Sequence, residues 1–217
     1  MKKKIFTILP VLALSLMVLA GCKSKEPAQE PSKESSKEPS KEIEPEIARK
    51  APDFKLNSFD GKTISLSDYK GKIVVLEWFN YECPFVLRHY VNKPTMIGLA
   101  NKYKDKNVVW LAINSTSHAA PEANIEFAEK HKLPYPILDD RAGTVGRAYG
   151  AKTTPHMYVI DARGSIAYQG AIDNDERGRK RQGVINYVDK ALAELTGAKE
   201  VTTTDTMPYG CTVKYAQ

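Results

Sequence analysis

From Ile73 to Phe79 the chain reads IVVLEWF, a continuous apolar run interrupted only by Glu77. A strand with one wet face would alternate polar and apolar residues, so an unbroken short run predicts a strand covered on both faces. Cover on both faces requires packed layers, and this run therefore points to an α/β sheet with helices on either side. Just beyond it lies Cys83-Pro84. Proline lacks the N–H that a first helical turn leaves unbonded, so Pro84 predicts a helix start there. The sulfur of Cys83 then faces free backbone N–H groups and the positive end of the helix dipole. That environment favours thiolate, the nucleophilic form, over thiol.

The surrounding sequence fits the same architecture. Phe54-Lys55-Leu56 and Thr63-Ile64-Ser65-Leu66 predict short strands around a turn at Asp60-Gly61. A helix is expected from Pro84 to about Lys104, a second buried strand over Val108–Ile113, and a helix from Pro121 to about Lys130. Ile137-Leu138 predicts a strand edge and Gly143–Tyr149 a short helix. Met157–Ile160 and Ile166–Tyr168 predict strands flanking a turn at Asp161–Gly164. The last helix, Val184 to about Leu195, would place Ile185, Val188, Leu192 and Leu195 on one face.

Ahead of this domain the N-terminus carries targeting information. Lys2, Lys3 and Lys4 precede an apolar stretch from Ile5 to Ala20, short for a spanning helix and suited to a secretory leader. It ends in Leu19-Ala20-Gly21-Cys22, which resembles the lipobox of bacterial lipoproteins. That resemblance implies removal of residues 1–21 and acylation of Cys22, with the globular part held outside the cytoplasm on a cell-envelope membrane. Residues 22–47 are dominated by Lys, Glu, Pro and Ser, with too little apolar surface to fold, and read as a flexible tether. The net charge of +6 includes the three leader lysines. The remainder is nearly balanced, which gives a nucleic-acid partner no support. The basic run Arg177, Arg179, Lys180, Arg181 reads as a solvated loop. The expected organisation is thus leader 1–21, tether 22–47, domain 48–197 and a C-terminal extension 198–217.

Of the three cysteines, lipidation of Cys22 would leave only Cys83 and Cys211 for redox chemistry. An exported chain meets an oxidising compartment, and two thiols admit one disulfide. Glu77 is the other anomaly. A carboxylate inside an apolar strand must either pair or raise its pKa, so it is a candidate acid–base group or the partner of a buried hydroxyl or lysine.

Three segments, APDFKLNSFDGKTISLSDYKGKIVVLEWFN, ECPF and KTTPHMYVID, appear in an order that resembles the thioredoxin-like superfamily. The likeness spans roughly Ala51 to Leu195 and is greatest to the redoxin branch that includes alkyl hydroperoxide reductase and thiol-specific antioxidant proteins. The resemblance implies a central mixed sheet flanked by helices on both faces. It also implies a cis Thr154–Pro155 bond against Cys83, with the Thr154 backbone offered to an extended substrate. Glu77 takes the place of the family's buried acid. The sequence departs from the family in two ways. Val86 stands where a thioredoxin carries its second active cysteine, leaving Cys211 as the only intramolecular partner for Cys83. Leu76 and Asn80 stand where a conventional peroxiredoxin carries proline and threonine, so the peroxide-orienting hydroxyl is missing and only the Asn80 amide remains.

Three functions follow. In a thiol–disulfide oxidoreductase, Cys83 exchanges with a protein thiol or disulfide and Cys211 or an outside thiol resolves the adduct. In a peroxidase, Cys83 is oxidised by a small peroxide and condenses with Cys211. In a binding domain, a permanent Cys83–Cys211 bond is only a staple, stabilising by about 4–5 kcal/mol in the chain-entropy picture. The first is the expected reading, with an external thiol as reductant. No cofactor and no metal are expected. His89, His118, His131 and His156 are scattered, although His156 follows Pro155, and a copper site with a second cysteine four residues on is refused by Leu87.

Overall fold

The run Ile73–Phe79 becomes β3 (Ile73–Trp78), the centre of the molecule, with all six residues buried. The computed structural model describes residues 49–217, so the leader, Cys22 and the whole tether lie outside the described residues. β3 pairs in parallel with β4 (Val108–Asn114) and antiparallel with β7 (His156–Ile160). β5 (Ile137–Asp139) and β8 (Ile166–Gly170) close the two edges, giving a mixed five-stranded sheet of order β5-β4-β3-β7-β8.

Alternation along β3 divides the core in two. Val75 and Phe79 pack on one face with Tyr90, Met96, Phe127 and Leu192. Val74, Leu76 and Trp78 pack on the other with Phe54, Leu138, Tyr149 and Tyr158. Each such side chain buried contributes about 1.5–3 kcal/mol, and this strand serves both clusters, which is why its sequence is apolar throughout. A short hairpin, β1 (Lys55–Asn57) with β2 (Thr63–Ser65), precedes it across the Asp60-Gly61 turn.

The helix expected from Pro84 to Lys104 is broken. α1 (Pro84–Leu87) continues into a π-helical turn (Arg88–Asn92) and stops at Lys93, whose backbone is extended. α2 (Thr95–Tyr103) begins beyond Pro94. Proline disfavours helical geometry in the residue before it and has no N–H to continue the ladder. α3 (Pro121–His131) and α4 (Thr144–Tyr149) fall where expected.

The last helix, α5 (Tyr187–Thr196), starts three residues later than the sequence suggested. Asn186 is its N-cap, its side chain accepting the Asp189 N–H at 2.8 Å. Val184 and Ile185 precede the cap and are exposed, so Ile185 does not share the buried face of Val188 and Leu192.

The C-terminal extension, 198–217, crosses the domain. Thr204 and Thr206 bond the backbone of Gln169, and Val213 is buried against the Trp78 cluster. Cys211–Thr212 forms β9, paired antiparallel with the two-residue β6 (Thr153–Thr154).

Candidate active site

Cys83 is placed by the turn that leaves β3. The Asn80 carbonyl accepts the Cys83 N–H at 3.1 Å, and the Asn80 side-chain oxygen accepts the Glu82 N–H at 2.8 Å. This side-chain turn reverses the chain and sets Cys83 at the N-cap of α1, with extended φ −77° and ψ 118°. Asn80 thus spends its amide oxygen on shaping the loop. Cys83 is 2% exposed, and its thiol donates to the Thr154 carbonyl at 2.9 Å.

Thr154–Pro155 is a cis peptide. Thr154 is also the residue opposite Cys211 in the β6–β9 ladder, so one residue abuts both cysteines. Gly210 makes this approach sterically feasible. It lies at φ +138°, and a Cβ there would collide with the Thr154 carbonyl oxygen. Both Cys83 and Cys211 are free thiols.

Their environments push the two thiols apart. Burial acts to raise Cys83. The facing Cys211 thiol, the Thr154 side chain and the backbone N–H groups of Val86 and Cys211 act the other way and prevail, so Cys83 lies below the ordinary cysteine range. Cys211 is pushed up to about 11, first by burial and then by Cys83 itself. Of the two sulfurs, Cys83 is the one that gives up its proton more readily.

Glu77 sits on β3, fully buried. Its carboxylate accepts the Tyr90 hydroxyl at 2.9 Å on both oxygens and the Trp110 indole N–H at 3.0 Å. The Tyr90 hydroxyl also meets that of Tyr135 at 2.9 Å. Burial raises Glu77 to about 7, with the Trp110 and Tyr90 bonds acting in opposition. Its bonds go to these aromatic residues and not to Cys83, while Tyr90 packs edge-on against Phe79. His156 belongs elsewhere too. It accepts the Lys152 N–H at 3.3 Å and packs at a tilt against Tyr158 on the opposite face, and burial lowers it to about 4.

A cluster that the sequence did not announce holds Cys211 in place. The Tyr209 hydroxyl donates to Asp173 at 2.6 Å and lies 3.1 Å from both His89 Nε2 and an Arg88 guanidinium nitrogen. Burial lowers His89 to about 4, which keeps it neutral. Arg88 stacks over Phe85 and Tyr209. Only the Tyr209-Gly210-Cys211 sequence itself hinted at this, since its partners lie on two distant segments, Arg88-His89 and Asp173. Among the described residues no group of three or more His, Cys, Asp or Glu is arranged to hold a metal, and no helix is long and apolar enough to cross a membrane.

Residues 47–169 match the AhpC/TSA family. The chain is 31% identical over 121 residues to the thiol-disulfide oxidoreductase ResA of Bacillus thuringiensis subsp. konkukian, covering 56% of this chain and 67% of that one. It is 34% identical over 119 residues to the thioredoxin-like protein YneN of Bacillus subtilis, covering 54% and 67%. Among solved structures, an uncharacterized conserved protein from Geobacillus kaustophilus superposes with a TM-score of 0.71 at 29% identity, over 78% of this chain and 92% of that one. A putative thiol:disulfide interchange protein DsbE from Chlorobium tepidum gives 0.50 at 28% identity, over 56% and 82%. The chain belongs to the AhpC/TSA family and is a thioredoxin-fold oxidoreductase.

Proposed function

We propose that the domain exchanges thiols and disulfides through Cys83, with Cys211 as the resolving thiol. The observation that carries this reading is the double role of Thr154, whose carbonyl touches the Cys83 sulfur while its backbone pairs with Cys211. The Cys83 thiolate attacks a substrate disulfide RSSR, forming a Cys83–SR mixed disulfide and releasing RS⁻. Cys211 then attacks the Cys83 sulfur. A Cys83–Cys211 disulfide forms, the second RS leaves as thiolate, and the Cys211 proton passes to a leaving thiolate. The substrate gains two electrons and the protein loses two, which an external thiol restores. The lowered Cys83 pKa supports its role as nucleophile and as the sulfur that leaves when the internal disulfide is reduced.

In this reading Asn80 positions Cys83 and Thr154-Pro155 forms the contact surface for the reacting disulfide. Glu77 holds the Tyr90–Trp110 layer beneath the site, and its value near neutrality leaves it able to take or give a proton. The lipobox-like Cys22 supports placing residues 48–217 outside the cytoplasm on a lipid anchor, beyond a leader at 1–21 and a tether at 22–47.

Trapping tests the central claim. Cys211→Ser protein mixed with a disulfide is expected to accumulate the Cys83 adduct, whereas the native chain releases it and closes its own disulfide. Failure of the Ser variant to retain any adduct at Cys83 would overturn the reading.

A further inference from the structure

Beside the two cysteines runs a groove of about 420 Å³, lined by Pro84, Phe85, Arg88, Glu176, Arg177 and Arg179. It starts at the two residues that follow Cys83, and Phe85 packs against Tyr209, two residues before Cys211. The groove therefore begins one residue after Cys83 and borders, through Tyr209, the segment that carries Cys211. Its far wall is the basic run that the sequence presented as a solvated loop.

That loop is built. The buried Asp175 carboxylate accepts the backbone N–H groups of Arg179 at 2.8 Å and Lys180 at 3.0 Å. Gly178, at φ +65°, lies flat against Arg88, where a Cβ would crowd the guanidinium. Arg88 in turn donates to the Glu176 carbonyl at 2.8 Å. The loop's backbone is thus tied to the helix that Cys83 caps. Its cations are spent differently. Arg88 is engaged by Glu176 and Tyr209, whereas Arg177, Arg179, Lys180 and Arg181 are exposed, and among the described residues none of these four forms an ion pair. Glu176 is the one acidic residue lining the groove. Phe85 and the Pro84 ring supply an apolar floor, and a volume of this size suits a small molecule. The strand-pairing edge at Thr154 is meanwhile taken by Cys211.

We infer that this groove admits low-molecular-weight disulfides bearing carboxylates, whose charge pairs with Arg177 and Arg179 while the sulfur reaches Cys83. The inference rests on the reading of Cys83 as the exchanging sulfur and names its substrate class. Dithiol protein reacts with the anionic disulfide as above: two substrate thiols are produced and the Cys83–Cys211 bond forms.

The test uses reduced protein and three matched probes: dithiodipropionate (anionic), hydroxyethyl disulfide (neutral) and cystamine (cationic). Each rate is divided by that of the probe with a simple small-molecule thiol. At low salt the normalised rate for dithiodipropionate is expected to exceed that for cystamine by about tenfold, with the gap closing at high salt. Arg177→Glu with Arg179→Glu, both exposed, should reverse the order of the anionic and cationic probes. Equal normalised rates, or an order indifferent to the charge reversal, overturn the groove assignment alone. A disulfide of an acidic peptide reacting far faster than dithiodipropionate overturns it in favour of a polypeptide occupant. No reaction with any probe overturns the reading of Cys83 and the groove with it.

Discussion

Thr154 and Cys211 stand opposite each other in a two-residue antiparallel ladder, and the carbonyl of that same Thr154 lies 2.9 Å from the Cys83 sulfur. The second thiol is thereby delivered from a segment far away in sequence, in a chain that carries Val86 where a local second cysteine would sit. The arrangement depends on backbone more than on side chains. Its consequences are therefore measurable at residues that carry no chemistry of their own.

Gly210 is the first of these. A side chain there meets the Thr154 carbonyl, and the φ of +138° is one that residues with a Cβ rarely adopt. Gly210→Val is expected to push β9 off β6 and slow internal Cys83–Cys211 disulfide formation by about tenfold or more, with about 1–3 kcal/mol lost from stability. Oxidant pulses followed by thiol labelling give the rate, and denaturant titration gives the stability. A native rate of closure in this variant would show that the close approach is dispensable.

Tyr209 is the second. Removing its hydroxyl takes from the buried Asp173 a hydrogen bond of 2.6 Å, and bonds to charged groups are worth about 1.5–3 kcal/mol. Tyr209→Phe should destabilise by that order and also slow disulfide closure, because the Cys211 strand loses its anchor. Loss of stability with unaltered closure would uncouple the cluster from the redox pair.

The two thiols should titrate far apart. Plots of alkylation rate against pH are expected to give a midpoint below the ordinary 9.0 for Cys83 and near 11 for Cys211. Replacing Cys211 with Ala removes a donor to the Cys83 sulfur and should move the Cys83 midpoint upward. A Cys83 midpoint at or above the ordinary value contradicts thiolate activation.

Glu77 makes stability pH-dependent in a defined direction. Its folded value of about 7 lies above the ordinary 4.5, so the native state holds its proton more tightly than the unfolded chain does. Its contribution is fully present below pH 4.5 and is lost as pH rises through 7, by about 3 kcal/mol in total. Glu77→Gln cannot ionise, so unfolding at pH 5 and pH 8 should show the native chain losing ground to the variant by that order. Parallel pH profiles for the two proteins would place the carboxyl's titration elsewhere.

Peroxide reduction separates the remaining chemistries. The Asn80 amide oxygen is committed to the Glu82 N–H, and position 76 is a buried leucine. Reduced protein is therefore expected to consume hydrogen peroxide no faster than a small thiolate at the same pH in stopped-flow measurements. Rapid turnover would identify a peroxidase instead.

What the sequence disclosed was local. The run Ile73–Phe79 announced a doubly covered strand because burial on both faces writes itself into consecutive residues, and Cys83-Pro84 announced a helix mouth because proline fits only there. The break at Pro94 was equally local: Lys93-Pro94 states it, and the surrounding apolar residues obscured it. The start of α5 was displaced because Ile185 matches the helical period, yet Asn186 fixes the cap. β9 left no such trace. Two residues carry no periodicity, and they form a strand only because β6 lies within reach of Gly210. The hold on Tyr209 was likewise invisible, being assembled from Arg88, His89 and Asp173, whose meeting is a property of the fold.

The strand that carries Cys211 has β6 as its sole strand partner and no place in the five-stranded sheet. Peeling it away breaks no rung of the central ladder, but it pulls on Tyr209 and Val213, which flank it and belong to the two apolar layers around β3. Uncovering the Cys83 sulfur by moving this strand therefore draws on core packing, so that redox state and folding stability are linked in one segment.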